Sequence, residues 1–225
     1  MIEVTDLHLD YPAGDGVLRV VDIPNWSVEA GEQIAIFGPS GSGKSTLLHL
    51  LSGVLAPTSG RVSVCGEEIS TLSESQRDLF RARHIGYVFQ NFNLLQGYSA
   101  LENVLMGFAF RSGHAEPKLA RSLLDQVGVG ARMRHRPSEM SRGEQQRVAI
   151  ARSLVKCPDV VLADEPTGSL DPRNKAQVVS LLRSMCADRG STLVLVTHDQ
   201  DVIARFEKQI PFADLNRACG VEVTA

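Results

Sequence analysis

No stretch of this sequence is apolar for long enough to cross a bilayer. The longest such runs, for example TLVLV at 192 to 196, fall far short of the roughly 20 residues that a spanning helix needs. No N-terminal segment reads as a secretion signal, so work at a membrane would require something else to hold the chain there. Cysteine is sparse. The four present, Cys65, Cys157, Cys186 and Cys219, show neither a C-x-x-C pair nor a nearby histidine cluster. That spacing indicates neither a disulfide framework nor a zinc site, and it fits a reducing, cytoplasmic setting. A surplus of positive charge is missing too. A formal net charge of -3 gives no basic field of the kind that draws proteins to nucleic acid or acidic lipid, so no nucleic-acid partner is expected. Internal repeats, low-complexity tracts and long linkers are absent.

What is present is material for a core: 225 residues, 43% of them hydrophobic, enough for one large domain or two small ones. The runs QIAIF (33 to 37), IGYVF (85 to 89), VVLA (160 to 163) and TLVLV have strand length and are nearly continuous, the pattern of strands buried on both faces. Helical patterns lie between them: KSTLLHLLSGV, ALENVLMGF, LARSLLDQV, RVAIARSLV and NKAQVVSLLRSM. In the last, Val178, Leu181, Leu182 and Met185 form one apolar stripe. Alternating strands and helices predict an α/β fold with a parallel sheet. The front end differs, with IEVTDLHLDYP and VLRVVDIPNWSV as two strands around the turn AGDG, an antiparallel piece leaning on the parallel core. From about 93 to 157 only helical patterns are seen, which predicts a helical insertion between core strands.

GPSGSGKST, residues 38 to 46, follows a strand and opens a helix. It fits G-x-x-x-x-G-K-[ST] at Gly38, Gly43, Lys44 and Ser45 in the strand-loop-helix context that gives the pattern meaning. Glycines there let backbone N–H groups and the helix N-terminus wrap a phosphate. The whole stretch, with Pro39, Ser40, Gly41, Ser42 and Thr46, is expected to contact a nucleotide, Lys44 bridging β- and γ-phosphates and Ser45 ligating magnesium. VVLADEPTGSLD ends a buried strand in two acids. Asp164 is expected to hold the magnesium ion, and Glu165 to act as general base on the attacking water. His198 and Gln90 follow other core strands, on the carboxyl edge where ligands of α/β folds bind. His198 reads as a γ-phosphate sensor, and Gln90 as a group that touches magnesium or the water. In MSRGEQQRVAIARSLV, Ser141 and Glu144 are spaced as a capping box, yet Arg142 sits where the helix dipole is already positive.

The ordered set GPSGSGKST, Gln90, MSRGEQQR, VVLADEP, SLD and His198 resembles an ATPase of the ATP-binding cassette (ABC) type, over nearly the whole chain. YPAGDGVLRVV, GYVFQNFNLL, ALENV and ADEPTGSLD are similar to the MacB, LolD and FtsE branch. The resemblance implies a P-loop NTPase core of RecA-like type, with an N-terminal antiparallel β piece and an inserted helical subdomain. The whole of 1–225 would be a single domain, with core 1–92 and 158–225 and the helical signature subdomain at 93–157. ATP and Mg2+ are the implied cofactors. A second copy, head to tail, and an integral-membrane permease subunit with an extracytoplasmic domain are the implied partners, at the cytoplasmic side of the inner membrane. Tyr11 would stack on adenine. Ser141, Gly143 and Glu144 belong to the signature usually written LSGGQ, in which Ser141 and Gly143 reach a γ-phosphate held by the other copy. Asp171 would connect the two sites, and the segment from about Gln90 to Leu105 would form a groove for the permease. The departures are Met140, Arg142 and Glu144 in the signature, and a C-terminal stretch from 209 that carries Pro211 and lacks the usual D-G turn. The branch leaves two activities open: export or lipoprotein release, and an FtsE-like switch that transmits a signal without moving a solute.

Overall fold

The computed structural model describes residues 1–14, 16–109 and 116–218, apart from the side chains of Pro172 and Arg173. Its strands are β1 (Ile2–Ala13), β2 (Gly16–Val28), β3 (Gln33–Phe37), β4 (Ser59–Val64), β5 (Glu67–Glu68), β6 (Ile85–Val88), β7 (Val160–Asp164), β8 (Thr192–Thr197) and β9 (Lys208–Pro211). Its helices are α1 (Lys44–Leu51), α2 (Glu74–His84), α3 (Ala100–Leu105), α4 (Pro117–Gln126), α5 (Arg142–Leu154), α6 (Pro172–Arg189), α7 (Gln200–Ile203) and α8 (Phe212–Leu215). The strands form two sheets, an antiparallel one in the order β2-β1-β4-β5 and a parallel one in the order β6-β7-β8-β3-β9. The expected α/β class with an antiparallel piece is therefore the observed one.

Side-chain alternation in the parallel sheet divides the core in two. Ile34, Ile36, Leu162, Val194 and Val196 face the antiparallel sheet and α1. Ala35, Val161, Ala163, Leu193 and Leu195 face the other way, toward the helices that carry Val104, Leu123, Val148 and Leu182. Both faces are covered, which is why β7 and β8 read as unbroken apolar runs. The predicted α6 stripe is there, with Val178, Leu182 and Met185 buried and Leu181 packed at its margin.

β1 shows how a single residue can reset a strand. Its buried positions are Ile2 and Val4, then Leu7 and Leu9, a switch of parity that requires one extra residue between them. Asp6 supplies it at φ 47, where the pairing with β4 shifts register between Thr5 and His8.

Three elements depart from expectation. The antiparallel piece has four strands, because β4 and β5 are short and half polar and carry little apolar signal. Helix α2 was not visible in the pattern, since only Phe80 and Ala82 of it are buried. The C-terminal stretch does supply a strand: β9 pairs parallel to β3, with Pro211 opposite Phe37, a position on the sheet edge where a missing N–H costs little. Between β6 and β7 the described residues contain helices and turns only. Among the described residues no helix is long and apolar enough to cross a membrane.

Candidate active site

Register in the parallel sheet brings distant segments to one edge. Phe37 lies beside Thr197, and Asp164 beside Val196, so the loop at 38–43, the pair Asp164 and Glu165, and Thr197 with His198 share the carboxyl end of three adjacent strands. Gln90 follows β6 at the same end, exposed and bordering the turn at Gly168.

The loop is fixed by its own backbone. Gly43, the N-cap of α1, has φ 102 and ψ 7, and a Cβ there would lie 3.2 Å from the Val20 carbonyl oxygen. Only glycine satisfies both conditions. No side chain caps α1 and no acid occupies its first turn, which leaves its leading N–H groups as donors for an anion. Lys44, 6% exposed, donates from Nζ to the carbonyls of Gly38 at 2.8 Å and Pro39 at 2.7 Å. Its charge is thus parked over the loop, beside a cavity lined by Pro39, Ser40, Gly41, Ser42, Val20 and Phe212. Tyr11 is 41% exposed and pairs with Leu18. It does not itself line that cavity, although Leu18 does. Thr46 sits half-buried in the first turn of α1.

Ser45 and Asp164 meet directly, the serine Oγ donating to Asp164 Oδ1 at 3.0 Å. Burial raises the Asp164 carboxyl above its ordinary value, opposed by this hydrogen bond. Glu165 is held more tightly. Its backbone is left-handed at φ 42, its N–H donates to Val196 O, and its side chain is buried. Oε2 accepts from Thr197 Oγ1 at 2.8 Å, and Oε1 lies 2.6 Å from His198 Nδ1. The rest of the His198 side chain remains 59% exposed. A carboxylate with both oxygens bonded and a histidine with a free edge can accept a proton and sense a ligand at one place. Thr197 was not singled out from the sequence. The available signal was a polar residue closing a fully buried strand.

The signature residues form a second group. Ser141 caps α5, its Oγ accepting from Glu144 N at 3.3 Å while Glu144 Oε2 accepts from Ser141 N at 2.8 Å. Hydrogen bonds from Ser141, backbone first, hold the Glu144 carboxyl below the usual range, with help from Arg132. Gly143 is buried against Asn174, whose Nδ2 donates to Asp171 Oδ2 at 2.6 Å. Asp171 therefore lies next to the signature turn. Arg142 is exposed, and its side chain makes no hydrogen bond or ion pair among the described residues.

A glycine loop between a buried parallel strand and a helix, with an acid pair ending the next strand but one of the same sheet, defines a P-loop nucleoside triphosphatase. Residues 21–168 match the sequence model of the ABC transporter family, and the chain belongs to that family as one of its ATPase cassettes. It is 43% identical over 216 residues to the lipoprotein-releasing system ATP-binding protein LolD of Syntrophotalea carbinolica, covering 95% of each. It is 41% identical over 218 residues to the macrolide export ATP-binding/permease protein MacB of Rhodopirellula baltica, covering 95% of this chain and 32% of that protein. The chain thus spans about a third of the MacB relative. A dimeric post-hydrolysis structure of the ATP-binding cassette MJ0796, bound to ADP and Pi, superposes with a TM-score of 0.86 at 33% identity, covering 97% of this chain and 95% of that one.

Proposed function

We propose that this chain hydrolyses ATP as one half of a head-to-tail homodimer. The dimer drives a membrane permease with an extracytoplasmic domain from the cytoplasmic face of the inner membrane, in LolD- or MacB-like export or lipoprotein release. ATP enters over the loop at 38–46, and Lys44 exchanges two carbonyls for phosphate oxygens. Ser45 and Asp164, hard oxygen donors already in contact, fit a magnesium ion, with Gln90 on the same edge. Bound there, the ion would neutralise charge on the β- and γ-phosphates. Glu165 takes the proton of the water that attacks the γ-phosphorus, ADP leaves, and Thr197 and His198 hold the carboxylate meanwhile. His198 offers its exposed edge to the γ-phosphate, and Tyr11 stacks on adenine.

The observation that carries the dimer is Gly143. Its φ is not in the left-handed region, and an added Cβ would meet Asn174 at 3.4 Å, an ordinary contact. Among the described residues nothing calls for a glycine there, and glycine leaves the backbone bare where a phosphate presented by a second copy would be approached by the Gly143 N–H and the Ser141 hydroxyl. Asp171, bonded to the same Asn174, joins the two sites, and Glu144 keeps the turn in shape.

The permease contact is a 570 Å³ apolar groove that includes Ile85, Tyr87, Phe89, Met106 and Arg152. Ile85, Tyr87, Phe89 and Met106 flank the segment 90–105, which itself lines none of the groove. Glu165→Gln is expected to bind ATP, to turn over at least about 100-fold more slowly, and to elute as a dimer with ATP in size-exclusion chromatography. Adding Gly143→Ala should leave ATP affinity unchanged and abolish that dimer. A monomeric Glu165→Gln protein at saturating ATP, alone and with its permease, would overturn the reading.

A further inference from the structure

One group of three metal-ligating side chains converges among the described residues, and none of the assigned chemistry uses it. Cys65, His84 and Asp159 each offer a ligand atom, and these atoms all lie within 4.8 Å of one another. They come from three separate parts of the fold: the turn between β4 and β5, the last residue of α2, and the residue before β7. The sequence positions 65, 84 and 159 have no metal-motif spacing, which is why composition and spacing argued against a zinc site. The fold brings the three together.

The surroundings are organised. Cys65 holds a left-handed backbone at φ 55, and its N–H donates to Met1 O at 2.9 Å, so the hairpin turn that carries it is tied to β1. His84 packs its ring on Phe80, with centroids 4.9 Å apart, and its Nδ1 lies 2.7 Å from Asp159 Oδ2. The Asp159 carbonyl accepts from Thr192 N, which anchors it to the parallel sheet. Burial first, and then the nearby Asp159 charge, push the Cys65 thiol up to about 11. A cation in this niche would relieve that same charge and displace the thiol proton to solvent.

We propose that Cys65, His84 and Asp159 form a binding site for one zinc ion. A sulfur, a nitrogen and an oxygen donor suit a tetrahedral, borderline-soft ion with water as its fourth ligand. They do not suit magnesium or calcium, which take oxygen ligands. The site lies at the amino ends of β6 and β7, while the phosphate loop lies at the carboxyl end of the sheet. Zinc there clips the antiparallel hairpin and α2 to the start of β7 without touching nucleotide. Its effect is on the stability of the joint between the two sheets, not on ATP affinity.

The test uses the full-length chain, stripped of metal and free of nucleotide, titrated with Co2+ as a coloured probe and then with Zn2+. One equivalent of Co2+ should give a sulfur-to-cobalt charge-transfer band that Zn2+ abolishes. Cys65→Ser should lose the band, and His84→Ala should weaken binding at least tenfold. Cys157→Ser, which alters an exposed cysteine two residues before Asp159 that is not one of the three ligands, should keep the band. Zn2+ should raise the thermal midpoint of the native chain and not that of Cys65→Ser, whose metal-free midpoint and ATP turnover should match the native protein's. The proposal falls if the native chain gives no band, or if Cys65→Ser or His84→Ala binds as the native chain does. Binding of Co2+ at Ser45 and Asp164 would give no thiolate band, so the assigned magnesium site and this one are read separately.

Discussion

The phosphate loop and the signature turn are both loops that open a helix, yet they are built on opposite terms. At the phosphate loop the chain explains its own residues. Gly43 must be glycine because its backbone is left-handed and the Val20 carbonyl is against it, and Lys44 is buried with two carbonyl partners. At the signature turn Ser141 and Glu144 bond to each other, Arg132 adds a bond to Glu144, and Arg142 is exposed. Gly143 there has room for a methyl group. Under the proposed dimer, the first region binds nucleotide within one chain and the second serves the nucleotide of the other copy.

The largest effect that could break this contrast is at Lys44. Replacing it with alanine removes a buried charge that no other residue of the loop supplies. A charge-assisted hydrogen bond to phosphate is worth about 1.5–3 kcal/mol, so two of them predict a loss of nucleotide affinity of about 100-fold or more by calorimetry. The fold should survive, since Pro39, whose carbonyl Lys44 now holds, lines a cavity that water can enter. Unchanged affinity would mean that the loop is complete in shape only.

What could be read in the sequence follows the same division. β3, β7 and β8 were legible because layers cover both faces, which forces continuous apolar runs such as Val160 to Ala163. The site residues on those strand ends were legible because each is adjacent in sequence to such a run. α2 was not legible, since a helix that buries only Phe80 and Ala82 leaves no periodic stripe. Thr197 was missed because its role depends on lying across from Glu165, a tertiary fact. Cys65, His84 and Asp159 were missed for the same reason over longer distances. Pro211 left the last strand undecided in the sequence, because its cost depends on the strand being at an edge, which the sequence does not state.

A smaller effect tests whether the signature turn is shaped from within. Glu144 has its carboxyl lowered by the Ser141 backbone N–H first and the Ser141 hydroxyl second. A carboxylate lowered in the folded state stabilises it at pH above the unfolded value, about 4.3 for glutamate. That contribution is lost as the pH falls through the folded value. Glu144→Ala should therefore lower the unfolding free energy by about 1 kcal/mol at pH 7, the usual worth of a cap. The gap between variant and native protein should close as the pH is taken below the ordinary glutamate range. A gap that persists there, in denaturant titrations, would place the stabilisation in side-chain packing and not in the ionised cap.

The smallest expected effect is the sharpest test of where the missing half of the site lies. Arg142 occupies the first position of α5, where its charge opposes the helix dipole by about 0.3–1 kcal/mol, while glycine costs up to about 1 kcal/mol in helix propensity. These nearly cancel, so Arg142→Gly should leave stability unchanged. With no partner for its side chain among the described residues, the residue should also leave basal ATP turnover within about threefold, or roughly 0.65 kcal/mol of barrier. A large gain in turnover would show that the native arginine obstructs the approach of the second copy's phosphate. That result would make the signature turn a brake built into the chain. If turnover holds while binding to the solubilised permease weakens, the arginine belongs to the partner's surface, and the turn is shared between two functions.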